Sequence, residues 1–447
     1  MSMRTMATRR LRRRVVAPFL ALLIVAGSGA AAQAPASDLG AAIRSVGGPR
    51  SVTGFYRINA HRPLWISDGV LSPAAETLLA LIETADLDGL DPDDYRPRAL
   101  RAAIDRARDG SPRDLARAEL QLSAAFVAYA RDLREAPDVG MIYADQPLRP
   151  RPATATELLA AAAAAPSLDT HLRDFAWMNP AYGALRRSAA LNGDRIAADD
   201  AAWTLVRRNL DRLRALPANP GKRFVLVDAA AARLWMYEDN RVVGTMRVVV
   251  GKPSEPTPMM AALIRYASVN PYWNVPPDLA RNRYAPEVLA KGVGVLRAKR
   301  FQALADWSEN AAAVPLEKVD WRAVADGRTE LRLRQLPGPG NGMGRVKFMF
   351  PNELGVYLHD TPEKALLKET DRLFSSGCVR LEDAPRLGRW LFGRPLPTGG
   401  APERRVDLPT PVPVYITYLT VAAEQDRLVY RDDVYGRDGG GALLASR

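Results

Sequence analysis

The chain reads Pro217-Ala-Asn-Pro-Gly221 at the point where its hydrophobic pattern changes period. Two prolines and a glycine within five residues interrupt regular structure, because proline lacks an N–H donor and fixes φ. Before this break, from Asp38 to about Leu216, apolar residues recur at helical spacing. After it, β-branched and aromatic runs separated by Gly and Pro are typical of strands. The break predicts an α+β protein with an all-α domain at 38–216 and a mixed, mainly β domain at 222–421.

The first domain is predicted to be a set of packed helices. The chain has 447 residues, of which 47% are hydrophobic and 25% charged. This composition suits two or three packed domains and excludes a disordered or fibrous protein. The segments with helical periodicity are Ala74–Ala85, Arg98–Arg108, Arg113–Arg134, Thr156–Ala164 and Ala201–Ala215.

The second domain contains strand-like runs that are separated by a long interval. Between Pro276 and Gly344 the sequence shows no clear strand, and helical pieces are predicted around Pro286–Ala290 and Val295–Ala305. Because this insertion, at about 277–344, lies between strands that belong together, it is predicted to form a helical flap over a site. Residues 422–447 are predicted to be a C-terminal extension that is disordered from Gly436 onward. The strand-like runs are Phe224–Val227, Leu234–Tyr237, Val242–Val250, Val346–Phe350, Val356–His359 and Val412–Val421.

The N-terminus has the three-part layout of a secretory signal peptide. Six arginines lie between Arg4 and Arg14, an apolar run extends from Val15 to Ala26, and small residues follow. Because the apolar run is short for a bilayer span, residues 1–34 are predicted to be a cleaved leader, with an uncleaved anchor as the alternative. The expected location is the periplasm or cell envelope.

Loss of this leader changes the charge of the chain. The formal net charge of +12 falls to +6, because the leader holds six arginines and no acidic residue. The remainder shows no Lys/Arg stripe with interleaved aromatic residues, and export argues against a nucleic-acid partner. An anionic polymer stays compatible with this mildly basic surface.

Cysteine and histidine are scarce. Cys378 is the single cysteine, and the histidines are His61, His171 and His359. No HExxH or CxxC motif occurs, and the acidic stretch Asp86–Tyr95 lacks the glycine and closing glutamate of a calcium loop. The sequence therefore predicts no metal site, and it gives no sign of a cofactor. A lone thiol in an oxidising compartment is either buried or chemically active.

The segment Ser375-Ser-Gly-Cys-Val-Arg380 carries the chemistry. A glycine directly before a cysteine lets the chain turn tightly and brings backbone N–H groups close to a substrate oxyanion. A thiol also needs a base, and His359 lies nineteen positions upstream at the end of a strand-like run. These residues are compatible with a nucleophile–base pair. The alternative is a small buried cysteine and a structural histidine.

Two segments resemble the catalytic motif of the L,D-transpeptidase family, with its YkuD-type domain. They are Gly355-Val-Tyr-Leu-His-Asp-Thr-Pro362 and Arg372-Leu-Phe-Ser-Ser-Gly-Cys-Val-Arg-Leu381. The rest of the chain is similar to the larger YcbB-like subgroup, which has an N-terminal scaffold domain. The segments that carry this second likeness are Phe55-Tyr56, Arg62–Trp65, Gly89–Tyr95, Thr257-Pro258 and Asn270–Pro276.

The resemblance implies a role for each site residue. Cys378 is expected to be the nucleophile and His359 the proton acceptor and donor, often oriented in relatives by a backbone carbonyl. Gly377 and Ser376 belong to the oxyanion loop. Arg380 is expected either to orient this loop or bind a stem carboxylate, or to form an ion pair with Asp383 or Glu382. Two aromatic residues, Tyr357 and Trp273, are expected to line the pocket unless they are core.

The implied reaction joins two peptidoglycan stem peptides in a 3→3 cross-link. A tetrapeptide donor would form a thioester and release D-Ala, a diaminopimelate amine would be the acceptor, and carbapenems would be covalent inhibitors. The alternatives are an L,D-carboxypeptidase, a transferase that attaches a lipoprotein, and a non-catalytic wall-binding scaffold. Many relatives carry a peptidoglycan-binding module between the two domains, and residues 180–220 are too short to hold it.

Overall fold

The computed structural model describes residues 36–193, 196, 199–308 and 310–439. The predicted leader, residues 1–34, and residues 440–447 lie outside this range. Among the residues that the structure describes, no helix is long and apolar enough to cross a membrane.

The N-terminal region is helical, and its helices begin where the sequence provides caps. The long helix Pro112–Arg134 starts with proline in its first turn, and Ser111 and Asp114 form a reciprocal capping box. Its buried face forms the centre of the region's hydrophobic core. The helices here are Ala36–Val46, Arg50–Ile58, Ala74–Glu83, Pro97–Arg108, Pro112–Arg134, Ala155–Ala164, Leu168–Arg173, Pro180–Leu191 and Asp200–Arg214.

The buried carboxylate of Asp88, at the end of a 3₁₀ turn, Ala85–Asp88, links this turn to the helices Pro112–Arg134 and Pro180–Leu191. The Asp88 carboxylate accepts hydrogen bonds from Tyr129 at 2.6 Å and Tyr182 at 2.5 Å. It also pairs with the Nε atom of Arg186 at 2.7 Å, and both side chains are fully buried. Because every partner is satisfied, the cluster fixes how the helices pack, whereas loss of one charge would leave the other unpaired in an apolar interior.

We predict that Arg186→Met destabilises the protein strongly, by about 3–5 kcal/mol, because it leaves Asp88 without its cation. The matched control is Arg187→Met, whose arginine pairs with Asp174 at 3.6 Å on the surface and should matter by at most about 1 kcal/mol. Urea unfolding followed by circular dichroism measures both changes. Equal losses for the two variants would contradict the prediction.

Strands form at the runs predicted in the second half of the chain, but the ten-residue strand Met260–Val269 was not predicted, and short strands occur elsewhere. Three strands of two residues each, β1, β2 and β3, lie inside the region that the sequence predicts as all-α. That region is therefore mainly helical but not exclusively so. The strands are β1 Ile66–Ser67, β2 Val70–Leu71, β3 Ile142–Tyr143, β4 Arg223–Asp228, β5 Arg233–Glu238, β6 Arg241–Gly251, β7 Met260–Val269, β8 Trp273–Val275, β9 Phe301–Leu304, β10 Ala313–Val314, β11 Arg332–Gln335, β12 Val346–Met349, β13 Leu358–His359, β14 Leu373–Ser375, β15 Val379–Leu381, β16 Arg404–Thr417, β17 Val421–Glu424 and β18 Arg427–Tyr430.

The main sheet is mixed and closes on itself. Its strand order is β12-β13-β15-β6-β5-β4-β16-β7, and β12 also pairs with β7, which completes the circuit. Most pairs are antiparallel, whereas β4–β16 and β13–β15 are parallel. Alternate residues of these strands, such as Val225 and Val227, form the core of the domain. The helix Ala384–Phe392 packs its buried face against the same core.

The insertion differs from the prediction, since it contains a sheet of its own. The strands β8, β9, β10 and β11 pair in the order β10-β9-β11-β8. The helix predicted over Val295–Ala305 ends at Ala298, Arg300 takes a left-handed backbone conformation, and Phe301 opens β9. Buried Phe301 and Ala303 alternate with Gln302, which is the period of a strand. The helical segments of the insertion are Pro277–Leu279, a π-helical turn Ala280–Tyr284, Ala285–Lys291, Gly294–Ala298 and Trp321–Ala325.

The two halves of the chain are interlocked. The strand β3, from the helical half, pairs in parallel with β7 of the main sheet. In the opposite direction, Leu419 and Val421 near the end of the chain are buried in the helical core. The hairpin of β17 and β18 therefore belongs structurally to the N-terminal region, although it follows the β domain in sequence.

Candidate active site

The parallel pair β13–β15 brings the two predicted reactive residues to one face of the main sheet. In its register Leu358 lies beside Val379, and His359 lies beside Arg380. The N–H of Val379 donates to the Tyr357 carbonyl at 2.9 Å, so Tyr357 lies beside Cys378. Leu358 and Val379 are fully buried in the domain core. Successive side chains of a strand alternate between its two faces. The side chains of Tyr357, His359, Cys378 and Arg380 therefore lie on the face opposite to this core.

The imidazole of His359 is held neutral in one tautomer. Its Nδ1 atom lies 2.6 Å from the carbonyl oxygen of Asp360. Since a carbonyl only accepts, Nδ1 carries the proton and Nε2 keeps its lone pair. Burial, and then the charge of Arg380, lowers the pKa of His359 to about 3. At neutral pH the ring can therefore take up a proton only transiently, as a general base does.

The thiol of Cys378 is also neutral at rest. Its Sγ atom lies 3.6 Å from the Gly355 carbonyl oxygen, a distance at which a thiol donates a weak hydrogen bond. Burial raises the pKa of Cys378, while a backbone hydrogen bond from Tyr357 and the charge of Arg380 oppose this rise. The resting pair is thus a thiol and a neutral imidazole, and a thiolate has to be produced by proton transfer.

Two glycines shape the chain around the sulfur atom. Gly377 has a φ of +101° and Gly355 a φ of +62°, both in a region that disfavours residues with a Cβ. Ser375 donates its hydroxyl proton to the Cys378 carbonyl at 2.5 Å, which closes the turn. Ser376 is exposed. The loop is therefore fixed by its backbone, and the Ser376 side chain points away from the core.

A buried threonine, Thr257, holds this loop in place through hydrogen bonds. The sequence did not single it out as a site residue. The Thr257 hydroxyl accepts from the Gly251 N–H at 2.8 Å and donates to the Gly377 carbonyl at 2.9 Å. Its side chain is fully buried. The resemblance at Thr257-Pro258 was the one signal in the sequence that pointed to this position.

Arg380 forms an ion pair with a partner that the sequence did not predict. Its guanidinium contacts Glu363, which follows β13. Glu382 binds Arg247 instead, at 2.5 Å, and the Asp383 carboxylate caps the helix Ala384–Phe392. The predicted pairing with Asp383 or Glu382 is therefore wrong, because both acids already have other partners.

A second cation lies on the other side of His359. Lys347 is opposite His359 in the β12–β13 register, and its side chain is only 13% exposed. Its amino group pairs with Glu403 at 3.1 Å. Lys347 and Arg380 both lower the pKa of His359. The sequence showed this lysine only as one polar residue in an apolar run, so it was missed.

The two aromatic candidates have different positions. Tyr357 is half-buried beside Cys378; burial and then the charge of Cys378 raise its pKa. Trp273 packs against the core of the insertion, and its ring centroid lies 6.1 Å from that of Tyr284 and 6.0 Å from that of Phe301. The Trp273 ring is partly buried against this hydrophobic core, which favours the alternative that Trp273 is a core residue, whereas its role in lining the pocket stays a prediction.

The described part of the chain contains no group of three or more His, Cys, Asp or Glu side chains that could hold a metal ion. The chemistry that the arrangement can perform is acyl transfer, because it combines a thiol, a neutral imidazole and a glycine-containing loop on one face.

Two sequence families match this chain. The family described as L,D-transpeptidase catalytic domain matches residues 222–414, and the Scaffold domain family matches residues 50–188. Residues 222–414 are an L,D-transpeptidase catalytic domain. The predicted fold class is confirmed, with a helical scaffold region followed by a mainly β L,D-transpeptidase domain.

A curated protein of Haemophilus influenzae, named as an L,D-transpeptidase, is 30% identical to this chain over 242 residues. The match covers 52% of this chain and 47% of the relative, so it spans about half the length of the curated protein. Solved L,D-transpeptidase structures are more distant. An enzyme from Mycobacterium smegmatis is 12% identical, over 45% of this chain and 61% of its own, with a TM-score of 0.22. A catalytic domain from E. faecium is 16% identical, over 44% of this chain and 99% of its own, with a TM-score of 0.19.

We predict that protonation of His359 contributes to acid destabilisation. In the unfolded chain its pKa is near 6.5, whereas burial lowers it to about 3 in the folded state. As the pH falls below 6.5, the unfolded state gains a proton that the folded state cannot, so stability is lost between pH 6.5 and 3. From pH 7 to 5 the loss is about 2 kcal/mol from this group alone. His359→Asn should lose correspondingly less in urea titrations at the two pH values; an equal loss would contradict the shift.

Proposed function

We propose that this protein is a cysteine-dependent L,D-transpeptidase that forms 3→3 cross-links between peptidoglycan stem peptides. One observation carries the proposal. The β13–β15 register puts the side chains of Cys378 and His359 on one face of an L,D-transpeptidase catalytic domain. The predicted leader supports a place of action in the periplasm or cell envelope.

The first half-reaction is acylation. The Nε2 atom of His359 takes the thiol proton as the Sγ atom of Cys378 attacks the carbonyl carbon between the third residue of a tetrapeptide stem and D-Ala. The oxyanion forms next to the backbone N–H groups of Gly377 and Cys378, where each donor contributes about 3–4 kcal/mol. The imidazolium then gives its proton to the departing amine. D-Ala leaves and a thioester remains.

The second half-reaction is transfer. The side-chain amine of a diaminopimelate residue attacks the thioester carbonyl, and His359 accepts the amine proton. Collapse of the intermediate breaks the C–S bond, and the proton returns to the sulfur. An amide between two stem peptides is formed, and the free thiol is restored.

The charges around the pair favour an anionic peptide. Lys347 and Arg380 flank His359 on both neighbouring strands, and each is paired with a carboxylate that is more than 40% exposed. A carboxylate of a stem peptide can therefore exchange with Glu363 or Glu403 without leaving either cation unpaired. This arrangement also lowers the pKa of His359, which keeps it free to accept a proton.

We predict that Cys378→Ala makes no cross-linked dimer from purified disaccharide-tetrapeptide, whereas the wild type does. Mass spectrometry of the products measures dimer, tripeptide and released D-Ala, and thermal unfolding shows that the variant is folded. Dimer made by the Ala variant would remove the nucleophile assignment. Only tripeptide from the wild type would mean that water is the acceptor and that the enzyme is an L,D-carboxypeptidase.

We also predict that a carbapenem acylates Cys378. The strained amide opens as Sγ attacks it, and the ring nitrogen receives the thiol proton, so the protein gains the full mass of the inhibitor. His359→Asn should slow this step by about 10²–10⁴-fold, the usual contribution of a general base. Intact mass against time measures the rate. An unmodified wild type, or an unchanged rate in the variant, would contradict the assigned roles.

A further inference from the structure

The residues 433–438, here named the C-terminal segment, fold back towards the candidate active site. The sequence predicts disorder from Gly436, yet Arg437 and Asp438 have defined partners within the described residues. The Asp433 carboxylate closes the segment on itself. It accepts from the Arg437 N–H at 2.8 Å, the Asp438 N–H at 2.7 Å and the Tyr418 hydroxyl at 2.9 Å.

Two side chains of the segment bind the loop that supports the nucleophile. The Tyr435 hydroxyl donates to the Gly251 carbonyl at 2.6 Å. The Arg437 guanidinium donates to the Thr257 carbonyl at 2.9 Å. Both acceptors are backbone atoms, so the contacts fix the path of the main chain between Gly251 and Thr257.

That loop in turn holds the residues before Cys378 at two points. The Thr257 hydroxyl donates to the Gly377 carbonyl at 2.9 Å. The Lys252 N–H donates to the Ser375 carbonyl at 2.9 Å. Any shift of the 251–257 loop therefore reaches the turn that carries the sulfur atom and the backbone donors. Arg437 and Gly377 are therefore connected through a single residue, Thr257, which hydrogen-bonds to both.

The other side of the segment is anchored in the helical half of the chain. Arg212, on the helix Asp200–Arg214, donates to the Arg437 carbonyl at 2.8 Å and pairs with Asp438 at 2.8 Å. Its side chain is 3% exposed. The Tyr418 and Tyr435 rings stack at 5.0 Å, and the Arg437 guanidinium lies against both.

From these contacts we infer that the C-terminal segment is a positioning element of the active site, with Tyr435 and Arg437 as positioning residues that act through Gly251 and Thr257 on the Cys378 loop. The inference rests on the proposed function, since it takes Cys378 as the nucleophile. Its physical basis is that catalysis depends on the placement of the nucleophile and the oxyanion donors to well within 1 Å. A segment that served only to stabilise the fold would affect unfolding without affecting the rate of the folded enzyme.

The experiment uses the full chain and compares Tyr435→Phe, Arg437→Gln and Arg437→Lys with the wild type. Tyr435→Phe keeps the stacked ring and removes the donor to Gly251; Arg437→Lys keeps the charge. The control is Arg427→Gln, an exposed position on β18 of the same C-terminal region. Carbapenem acylation is followed by intact mass under single-turnover conditions, at a temperature where thermal melts show every variant to be folded.

We expect Tyr435→Phe and Arg437→Gln to slow acylation of the folded enzyme about tenfold. Most of this change should appear in the acylation rate constant, whereas the inhibitor concentration that gives the half-maximal rate should change little. A change of this size corresponds to loss of one well-placed hydrogen bond. Arg437→Lys should recover part of the rate, and Arg427→Gln should match the wild type.

Wild-type rates in both Tyr435→Phe and Arg437→Gln would overturn the inference, even if their melting temperatures fall. A wild type that is not acylated at all would instead refute the proposed function. The two failures are therefore distinguishable in one data set.

Discussion

The parallel pairing of β13 with β15 is the constraint on which the site depends. Parallel neighbours cannot be joined by a tight hairpin and need a crossover of about a dozen residues or more. Here the connection runs from Asp360 to Cys378 through a 3₁₀ turn, Lys364–Lys368, and through β14. The nineteen-residue spacing of His359 and Cys378 is thus the length of that crossover. A shift of one residue in register would turn Cys378 into the core and Val379 out to the site.

The same packing makes the reactive pair electrically neutral. Burial disfavours both the imidazolium and the thiolate. The cations Arg380 and Lys347 further lower the pKa of His359, whereas the charge of Arg380 opposes the rise in the pKa of Cys378. A neutral thiol is oxidised less readily than a thiolate, which would protect the single cysteine in the periplasmic location proposed above. In the proposed reaction the thiolate would therefore be generated by proton transfer, and the position of Sγ relative to Nε2 would control the rate.

The sequence predicted five helices of the first half and the strands β4, β5 and β6, because their periods extend over several residues. It missed β7, Met260–Val269, although this strand is ten residues long, and it missed the helices Arg50–Ile58 and Pro180–Leu191. It missed the sheet of the insertion, where β8 to β11 have four residues or fewer and give no measurable period. The predicted strand Val412–Val421 begins later than β16, Arg404–Thr417, and runs past its end to the start of β17. Pro409, Pro411 and Pro413 disfavour a strand, and the structure accommodates them with a register shift between Asp407 and Val412. At the site, the motif pointed to Cys378 and His359, whereas the contacts of Thr257 and Lys347 become visible only in the fold. No local pattern reports which acid will be free to pair with Arg380.

The scaffold region is a structural part of the catalytic domain and not a separate attachment. Its β3 extends the main sheet, and its core buries Leu419 and Val421, which directly follow β16. Removal of the scaffold would expose these apolar side chains, and it would also remove Arg212, which holds the C-terminal segment. The helix Asp200–Arg214 thus contacts the C-terminal segment, which contacts the Gly251–Thr257 loop. This loop in turn binds Gly377, the residue before Cys378.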